Sequence, residues 1–454
     1  MYLLGEEEDK MNYNPLKELI NRKNKGEVVG IYSACSANEY VLQAVIEKAA
    51  KTNSVALIEA TANQCDQNGG YTGMTPKDFR SYCLDLAKKA GLSENRLFLG
   101  GDHLGPLTWT HLNEAEAMEN AKVLIQHYVL AGFTKIHIDT SMRVADDDPN
   151  APLSDEVIAR RGACLAKVAN EAYKELLKTE PEAIKPVYIV GSEVPIPGGQ
   201  QSQTEDTGMQ VTKVEDFKAT VEAFKKAFAE ENISDIWEDV IAVVVQPGVE
   251  EKDAGCTEYD RSKAADLIAA IKEYPTLIFE GHSTDYQTKY KLRELVEDGV
   301  GILKVGPGLT FSMREGLFAL ARIEEEAFHD TDVETSHIID VLEEEMLKDP
   351  SKWLKYYTGN DNERYIKRKY SFSDRCRYYM PSQPMQTAKK VLMDNLNSLP
   401  EIPLNLISQF MPIQYTKIRE GLLENKAEEL LKDRITNTID EYLFATHQEK
   451  LVQE

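Results

Sequence analysis

The sequence lacks several features that would each indicate a different class of protein. It has no apolar run near twenty residues and its mean hydropathy is -0.42, so we predict no membrane-spanning helix. Its six cysteines form no CxxC pair, which is typical of reduced thiols in a cytoplasm. Basic residues are scarce, 52 against 76 acidic ones, and the net charge of -24 weighs against nucleic acid as a partner. We therefore expect a cytoplasmic protein with neither nucleic acid nor membrane as a partner.

Two motifs for binding nucleotides are also missing. No loop of the GxxxxGK[ST] kind is present, which disfavours a kinase that cradles phosphates in such a loop. The turn after the first apolar run reads SACS at residues 33–36, where an open nucleotide-binding sheet would normally carry its glycine fingerprint. An open sheet of that type is therefore the weaker interpretation of the strands described next.

Short apolar runs alternate with amphipathic segments between residues 28 and 306. These runs are residues 28–32, 55–59, 96–100, 135–139, 186–190, 241–245, 276–280 and 301–305. Their near-continuous apolarity predicts strands buried on both faces, hence a parallel sheet with helical crossovers. Eight such alternations favour a (β/α)8 barrel.

The barrel accounts for only part of the chain. Residues 1–13 are predicted to be an acidic extension, residues 14–320 the barrel, and residues 321–454 a helical appendage packed on it. The appendage contains an aromatic and basic stretch, residues 364–379. This stretch has two interpretations: a lid that donates Arg375 or Arg377 to a phosphate, since Arg suits phosphate oxygens, or a structural seam.

Polar residues follow all eight predicted strands. The working face of such a barrel is built from the carboxyl ends of its strands and the loops after them, so these residues predict a site. They are Ser33, Glu59, Asn63, Gln64, Asp102, His103, Asp139, Ser141, Glu193, Gln246, Glu280, His282, Lys304 and Gly306.

Two histidines among these residues favour a metal. A closed barrel can bring His103 and His282 together, and Glu193 could add an oxygen ligand. Asp102 and His103 are adjacent, so in an extended strand they point to opposite sides and need a turn to act together. His137 is interpreted as a structural hydrogen-bonding residue, and Glu280 as a partner of His282 or a base.

The remaining polar residues are predicted to contact substrate. The loop at Gly306 could present N–H groups to an oxyanion or be an ordinary turn. Lys304 could alternatively form a Schiff base, but a metal site beside it makes that mechanism less economical. The predicted substrate-binding residues are Ser33, Glu59, Asn63, Gln64, Ser141, Gln246, Lys304, Gly306 and Arg375.

These motifs together resemble a known family. The order GGDH at 100–103, IDTS at 138–141, Glu193 and FEGH at 279–282 resembles the class II, metal-dependent fructose- and tagatose-bisphosphate aldolases. From about residue 14 to 420 the chain is more closely similar to the family named for the second subunit of bacterial tagatose-1,6-bisphosphate aldolase. The distinctive stretches are IYSACSAN at 31–38, EATANQ at 59–64, GGDHLGP at 100–106, GSEVP at 191–195, YSFSDR at 370–375 and LISQFMPIQY at 406–415.

The resemblance implies a barrel with a divalent metal and a ketohexose or ketohexose-phosphate substrate. By position, Asp102 matches the aldolase proton donor, His103 and His282 match metal ligands, and Glu193 matches a carboxylate on the fifth strand. Zinc is the first expectation for the metal, with manganese, cobalt or nickel as alternatives. The sequence departs from the aldolases at Gln246, near where they carry a metal-binding histidine.

The altered donor set leads us to expect a C4 epimerase of tagatose- and fructose-type ketoses, free or 6-phosphorylated. Cleavage and re-formation of the C3–C4 bond would use a metal and carboxylate proton carriers, Asp102 first and Glu280 or Asp139 next. The alternatives are a tagatose-1,6-bisphosphate aldolase and a non-catalytic subunit that stabilises one. A homo-oligomer or a hetero-complex with an aldolase subunit is the expected assembly.

Overall fold

The computed structural model describes residues 12–192 and 210–452 and contains a closed parallel barrel. The barrel order is β1-β10-β9-β6-β5-β4-β3-β2, and a small antiparallel pair, β7 and β8, lies in the loop after β6. The strands are β1 (Ile31–Cys35), β2 (Ala56–Thr61), β3 (Leu97–Leu104), β4 (Lys135–Ile138), β5 (Val187–Val190), β6 (Val240–Val245), β7 (Glu250–Glu251), β8 (Cys256–Thr257), β9 (Ile278–Gly281) and β10 (Val300–Val305). Each predicted apolar run overlaps one barrel strand, and the predicted (β/α)8 fold is confirmed.

Helices fill the connections between the barrel strands and dominate the carboxyl-terminal third. Several begin at a residue whose side chain caps the first turn, such as Asn38, Thr75 and Ser154. The helices are α1 (Glu18–Asn24), α2 (Glu39–Lys51), α3 (Pro76–Ala90), α4 (Glu114–Leu130), α5 (Asp155–Leu176), α6 (Val214–Glu230), α7 (Ala265–Ile271), α8 (Lys289–Glu297), α9 (Pro307–Ala327), α10 (Ile338–Lys348), α11 (Asp361–Tyr370), α12 (Gln383–Ser398), α13 (Leu404–Phe410), α14 (Pro412–Arg419) and α15 (Ala427–Thr446). Among the described residues, no helix is long and apolar enough to cross a bilayer.

The interior of the barrel changes from apolar to charged along its axis. Its amino-terminal half is filled by an apolar cluster that includes Ile31, Leu57 and Ile302. Side chains alternate along a strand, so the next inward position lies two residues further on. In β2 and β10 those positions hold Glu59 and Lys304, which places charge directly above the apolar layer.

The last long helix packs as part of the barrel wall. Helix α15 packs against α9, α8 and α2 and contacts β1. The chain after it crosses the amino-terminal end of the barrel, where the Thr446 carbonyl accepts from Gly30 N–H at 2.8 Å. The division into a barrel and an appendage at residue 320 stays a prediction, but the carboxyl-terminal residues are packed into the barrel itself.

The buried side chain of Gln448 joins two barrel strands. Its Oε1 accepts from the Tyr32 N–H at 3.0 Å, and its Nε2 donates to the Val55 carbonyl at 2.7 Å. Both backbone groups lie where water cannot replace the amide, so each would lose its partner if the side chain became apolar.

We predict that Gln448→Leu lowers the free energy of unfolding by about 2 kcal/mol, because each buried group left without a partner costs about 1–3 kcal/mol. Urea denaturation followed by circular dichroism measures the change. The matched control is Gln126→Leu on the exposed face of α4, which should change stability by less than about 0.5 kcal/mol. Equal effects of the two substitutions would contradict the proposed role of Gln448.

Candidate active site

Three imidazole rings meet at the carboxyl-terminal end of the barrel. His103 lies in β3, His137 lies in β4 and His282 directly follows β9. Their ring centroids are 4.9, 5.0 and 5.3 Å apart. One nitrogen of each ring and a carboxylate oxygen of Asp102 all lie within 4.8 Å of one another. We call these four residues the histidine cluster.

Each ring of the histidine cluster has one nitrogen next to an oxygen acceptor. His103 Nδ1 lies 2.7 Å from Asp139 Oδ2, and His282 Nε2 lies 3.0 Å from Glu280 Oε1. His137 Nε2 lies 3.0 Å from the Gly191 carbonyl. A nitrogen that faces such an acceptor carries the hydrogen when the ring is neutral. The other nitrogen of His137, Nδ1, accepts from the His103 N–H at 3.2 Å and lies 3.0 Å from Asp102 Oδ1. These contacts fix the orientation of the three rings.

A local turn allows neighbouring residues of β3 to act together. His103 adopts a left-handed backbone conformation with φ of 49°, and the register of β3 against β4 shifts between Gly101 and Leu104. This turn is the one that Asp102 and His103 need to reach the same site. Gly100 is required just before it, because a Cβ there would lie 2.6 Å from Glu59 Cγ.

A layer of paired charges lies beneath the histidine cluster. Lys135 Nζ, which is completely buried, lies 2.6 Å from Glu59 and 2.7 Å from Glu280. Lys304 Nζ contacts Asp102 directly and lies 3.2 Å from Glu59. Burial lowers the pKa of both ammonium groups, but the surrounding carboxylates raise it by a larger amount. Both pKa values are therefore above the ordinary value for lysine. We call Glu59, Lys135, Glu280 and Lys304 the charge layer.

The imidazoles differ in their affinity for protons. Burial, followed by the positive charge of Lys304, lowers the pKa of His282 to about 3, so this ring is neutral. Burial also lowers the pKa of His103, but the carboxylates of Asp102 and Asp139 more than offset it and the pKa is raised. A cation bound at His103 must therefore displace a proton that this ring holds to higher pH than free histidine does.

The donors of the histidine cluster are those of a transition-metal site. Imidazole nitrogens combined with one carboxylate suit zinc, manganese, cobalt or nickel, and a catalytic zinc usually has three protein ligands with one open position. The carboxylates beside His103 and His282 are the hydrogen-bond partners that metal-binding histidines normally have. The residues present thus fit a divalent metal. Cys35, Glu59 and Asp102 also lie close together, but the ammonium group of Lys304 contacts this second group.

The predicted catalytic and metal-binding residues fall in or against the histidine cluster. Asp102, His103 and His282 belong to it, while Asp139 and Glu280 hold its rings. The predicted ligand Glu193 lies outside the described residues. Their roles in catalysis stay predictions.

Two residues of β4 lie in the site although the sequence pattern predicts no chemical role for either. His137 was expected to be structural, yet it lies among the potential ligands, and Lys135 was not singled out at all. Their alternation with Asp139 was the available signal, because residues two apart in a strand share one face. A lysine and a histidine in an apolar strand of a barrel therefore indicate the interior.

The predicted substrate-binding residues lie at different depths. Glu59 and Lys304 belong to the charge layer, and Ser33 is completely buried beside Lys304 in the register of β1 against β10. Ser141 donates from its N–H and Oγ to Asp139 Oδ1, so it orients the partner of His103.

Other predicted contacts are engaged in local structure. Gln64 Oε1 accepts from Thr61 N–H, and Gln246 Oε1 accepts from the N–H groups of Gly248 and Val249. Asn63 is exposed after β2.

Arg375 and Gly306 have partners within the protein. The guanidinium group of Arg375 stacks over the ring of Tyr356, 3.4 Å from its centroid, and donates to the Lys352 carbonyl. The N–H of Gly306 donates to a carboxylate, Asp285 Oδ1. Their predicted contacts with substrate stay untested.

The barrel and its histidine cluster define a (β/α)8-barrel protein with a candidate metal centre on the carboxyl-terminal face. A model of the family described as D-tagatose-1,6-bisphosphate aldolase subunit GatZ/KbaZ-like matches residues 16–447. The chain therefore belongs to the GatZ/KbaZ-like family, which confirms the resemblance found in its motifs.

A solved structure supports this assignment over nearly the whole chain. It is the crystal structure of a probable tagatose 6 phosphate kinase from Sinorhizobium meliloti 1021, which is 40% identical to this chain with a TM-score of 0.82. The match covers 92% of this chain and 100% of that one.

Two aldolase structures are more distant. The YdjI aldolase from Escherichia coli K12 is 12% identical with a TM-score of 0.37, and covers 83% of this chain and 98% of its own. The fructose-bisphosphate aldolase from Campylobacter jejuni is 16% identical with a TM-score of 0.39, and covers 85% of this chain and 94% of its own. Likeness at this level carries no argument about the site.

We predict that His103→Ala, His137→Ala and His282→Ala each weaken the binding of Zn²⁺ or Co²⁺ at least about 100-fold. Loss of the hydrogen-bond partner of a metal ligand weakens metal binding about 10- to 100-fold, and loss of the ligand itself should cost more. Elemental analysis of protein purified without chelator, followed by titration with Co²⁺, measures the effect. Binding should also weaken as pH falls, because the raised pKa of His103 keeps that ring protonated to higher pH.

The control for metal binding is His127→Ala, which removes an exposed histidine of α4. It should bind metal like the wild type. If His137→Ala also binds metal like the wild type, then His137 is only a structural hydrogen-bonding residue. If none of the substitutions changes binding, the histidine cluster is not a metal site.

Proposed function

We propose that the protein is a metal-dependent enzyme that inverts C4 of ketohexoses of the tagatose and fructose type. The observation that carries this proposal is the histidine cluster: three oriented imidazoles beside the carboxylate of Asp102, above a layer of paired charges. We assign His103, His137 and His282 as ligands of a divalent metal, with zinc as the first expectation.

The chemistry is cleavage and re-formation of the C3–C4 bond. His103, His137 and His282 would hold the divalent metal, which would supply Lewis-acid stabilisation of the negative charge that develops on the ketose oxygens. Asp102 takes the proton of the C4 hydroxyl, and the electrons of the C3–C4 bond move to the C2 carbonyl to give an enediolate and an aldehyde. When the aldehyde turns and adds through its other face, Asp102 returns the proton and C4 is inverted.

The remaining groups position those that react. Lys304 contacts Asp102, and its positive charge favours the carboxylate form that a base requires. We assign Asp139 and Glu280 to orienting His103 and His282, although the sequence indicated them as further proton carriers. Lys135 forms an ion pair with Glu280, so the charge layer fixes the carboxylate that accepts from His282.

A second candidate function is favoured by the family itself. Its description names a subunit of tagatose-1,6-bisphosphate aldolase, and such an aldolase would use the same bond cleavage but release the aldehyde. In that case the protein would act alone or in a complex with a catalytic subunit. A stabilising subunit without chemistry would need no intact histidine cluster, so His103→Ala would leave the activity of its partner unchanged.

We predict that the metal-loaded protein converts fructose into tagatose, or the reverse, and that the reaction stops after chelation. In D₂O the product should contain no deuterium on C4, because that hydrogen stays on carbon throughout retro-aldol chemistry. Product analysis by NMR measures both, and a coupled assay for released trioses distinguishes an aldolase. Absence of a C4 epimer from fructose, tagatose and their 6-phosphates would refute the proposal.

We predict that Asp102→Asn lowers kcat about 100- to 10,000-fold, the usual contribution of a positioned acid or base, while the protein still binds metal. The matched control is Asp85→Asn, an exposed carboxylate in α3, which should leave kcat and metal content unchanged. Loss of metal together with activity in Asp102→Asn would instead make Asp102 a ligand.

A further inference from the structure

The loop after the last barrel strand already binds a carboxylate of the protein. Gly306 N–H donates to Asp285 Oδ1 at 3.0 Å, and Gly308 N–H donates to the same oxygen at 2.7 Å. These two amides lie at the amino-terminal end of α9, a helix of 21 residues that begins with Pro307. Asp285 itself is 2% exposed.

This place in a barrel commonly serves a different purpose. In many (β/α)8 enzymes the loops after the seventh and eighth strands hold a substrate phosphate at a helix amino terminus. Free N–H groups and the positive end of the helix dipole make such a terminus suitable for an anion. Here the carboxyl group of Asp285 occupies that position, because it follows the seventh barrel strand and reaches the loop after the eighth.

The carboxylate is packed too closely for a phosphate to enter beside it. A Cβ on Gly308 would lie 2.8 Å from Asp285 Oδ1, so backbone and carboxylate are in direct contact. The segment is also held from both sides: Thr284 Oγ1 donates to the Lys304 carbonyl at 2.7 Å, and Tyr442 of α15 donates to the Thr284 carbonyl at 2.9 Å. The carboxyl group of Asp285 is therefore held in a fixed position in the loop.

The charges around Asp285 also oppose a phosphate. Burial and the neighbouring carboxylate of Glu251 raise the pKa of Asp285 to about 7, and a phosphate in this loop would face the carboxylate of Glu251 as well. The cation facing this pair is Arg377, which donates to the Ser373 and Asp374 carbonyls and to the Tyr378 hydroxyl. Lys304 is paired with carboxylates of the site.

We propose that Asp285 takes the place of a substrate phosphate in this loop, so that the site selects ketohexoses with free hydroxyl ends over their phosphate esters. This inference rests on the proposed ketose function and names the substrate class, which that proposal leaves open. It gives the two glycines of the loop a role in closing the site to phosphate.

The first test compares ligands on the metal-loaded wild type. We expect kcat/KM for fructose or tagatose to exceed that for the 1-phosphate and the 6-phosphate at least 10-fold. Calorimetric titration should show binding of the free sugar and no competition by inorganic phosphate. Preference for either ester, or inorganic phosphate bound at the Gly306 and Gly308 amides in a crystal, would overturn the proposal.

The second test compares two substitutions of Asp285: one removes the acceptor from the loop, and the other keeps it. In Asp285→Ala the two amides lose their acceptor, so we expect inorganic phosphate to bind at least 10-fold more tightly and the ratio of ester to free-sugar kcat/KM to rise at least 10-fold. Asp285→Asn keeps an accepting oxygen and should behave like the wild type toward phosphate. Asp66→Ala is the control, since Asp66 also accepts from two backbone N–H groups, those of Asn68 and Gly70, but not at the start of an α-helix.

The outcomes separate this inference from the proposed function. Binding of free sugar without any C4 epimer would refute the proposed reaction and leave the role of Asp285 standing. No gain of phosphate binding in a folded Asp285→Ala would refute the role of Asp285 whatever the reaction is. If Asp285→Ala does not fold, the ligand preference of the wild type still decides the question.

Discussion

The site depends on one buried ion pair system, in which Lys135 joins Glu59 and Glu280 at the centre of the barrel. A charge in a low-dielectric interior is tolerated only when it is paired, and removal of one partner costs about 3–5 kcal/mol because the other is left uncompensated. Lys135 thereby fixes Glu280, whose carboxylate lies within hydrogen-bond distance of the His282 ring. Glu59 also pairs with a second ammonium group, that of Lys304. The position of the imidazole of His282 is thus coupled to the charges beneath it.

The architecture was largely readable from the sequence, and the site only in part. Buried parallel strands leave an apolar run regardless of context, which is why all eight were found. His103 and His282 stood out because they end strands, whereas His137 lies inside one, where a histidine usually serves structure. The partner of Gly306 was not predictable, because Asp285 is 21 positions away and comes within hydrogen-bond distance only after the barrel closes. The packing of α15 into the wall is likewise a long-range event with no local signal.

The features of the site are consistent with one another. The proposed mechanism needs one proton carrier beside the metal, and Asp102, which we propose for that role, contacts Lys304. An epimerase must retain both fragments between cleavage and re-addition, and a phosphate bound at the last-strand loop would fix one fragment against rotation. With Asp285 in that loop, neither fragment is anchored there by a charge.

The hydrogen bonds of Gln448 have a consequence for how the protein is made. This residue completes the hydrogen bonding of β1 and of the start of β2, which are the first barrel strands to leave the ribosome, yet it lies 416 residues after Tyr32 and 393 residues after Val55. Domains of bacterial and other proteins often fold while synthesis continues. Here the first strands must wait for a residue that is made long after the eighth barrel strand, so a nascent chain cannot complete these hydrogen bonds until Gln448 has left the ribosome. A stop codon between the eighth strand and residue 448 should therefore yield chains that chaperones and proteases recognise, even though all eight barrel strands have been synthesised.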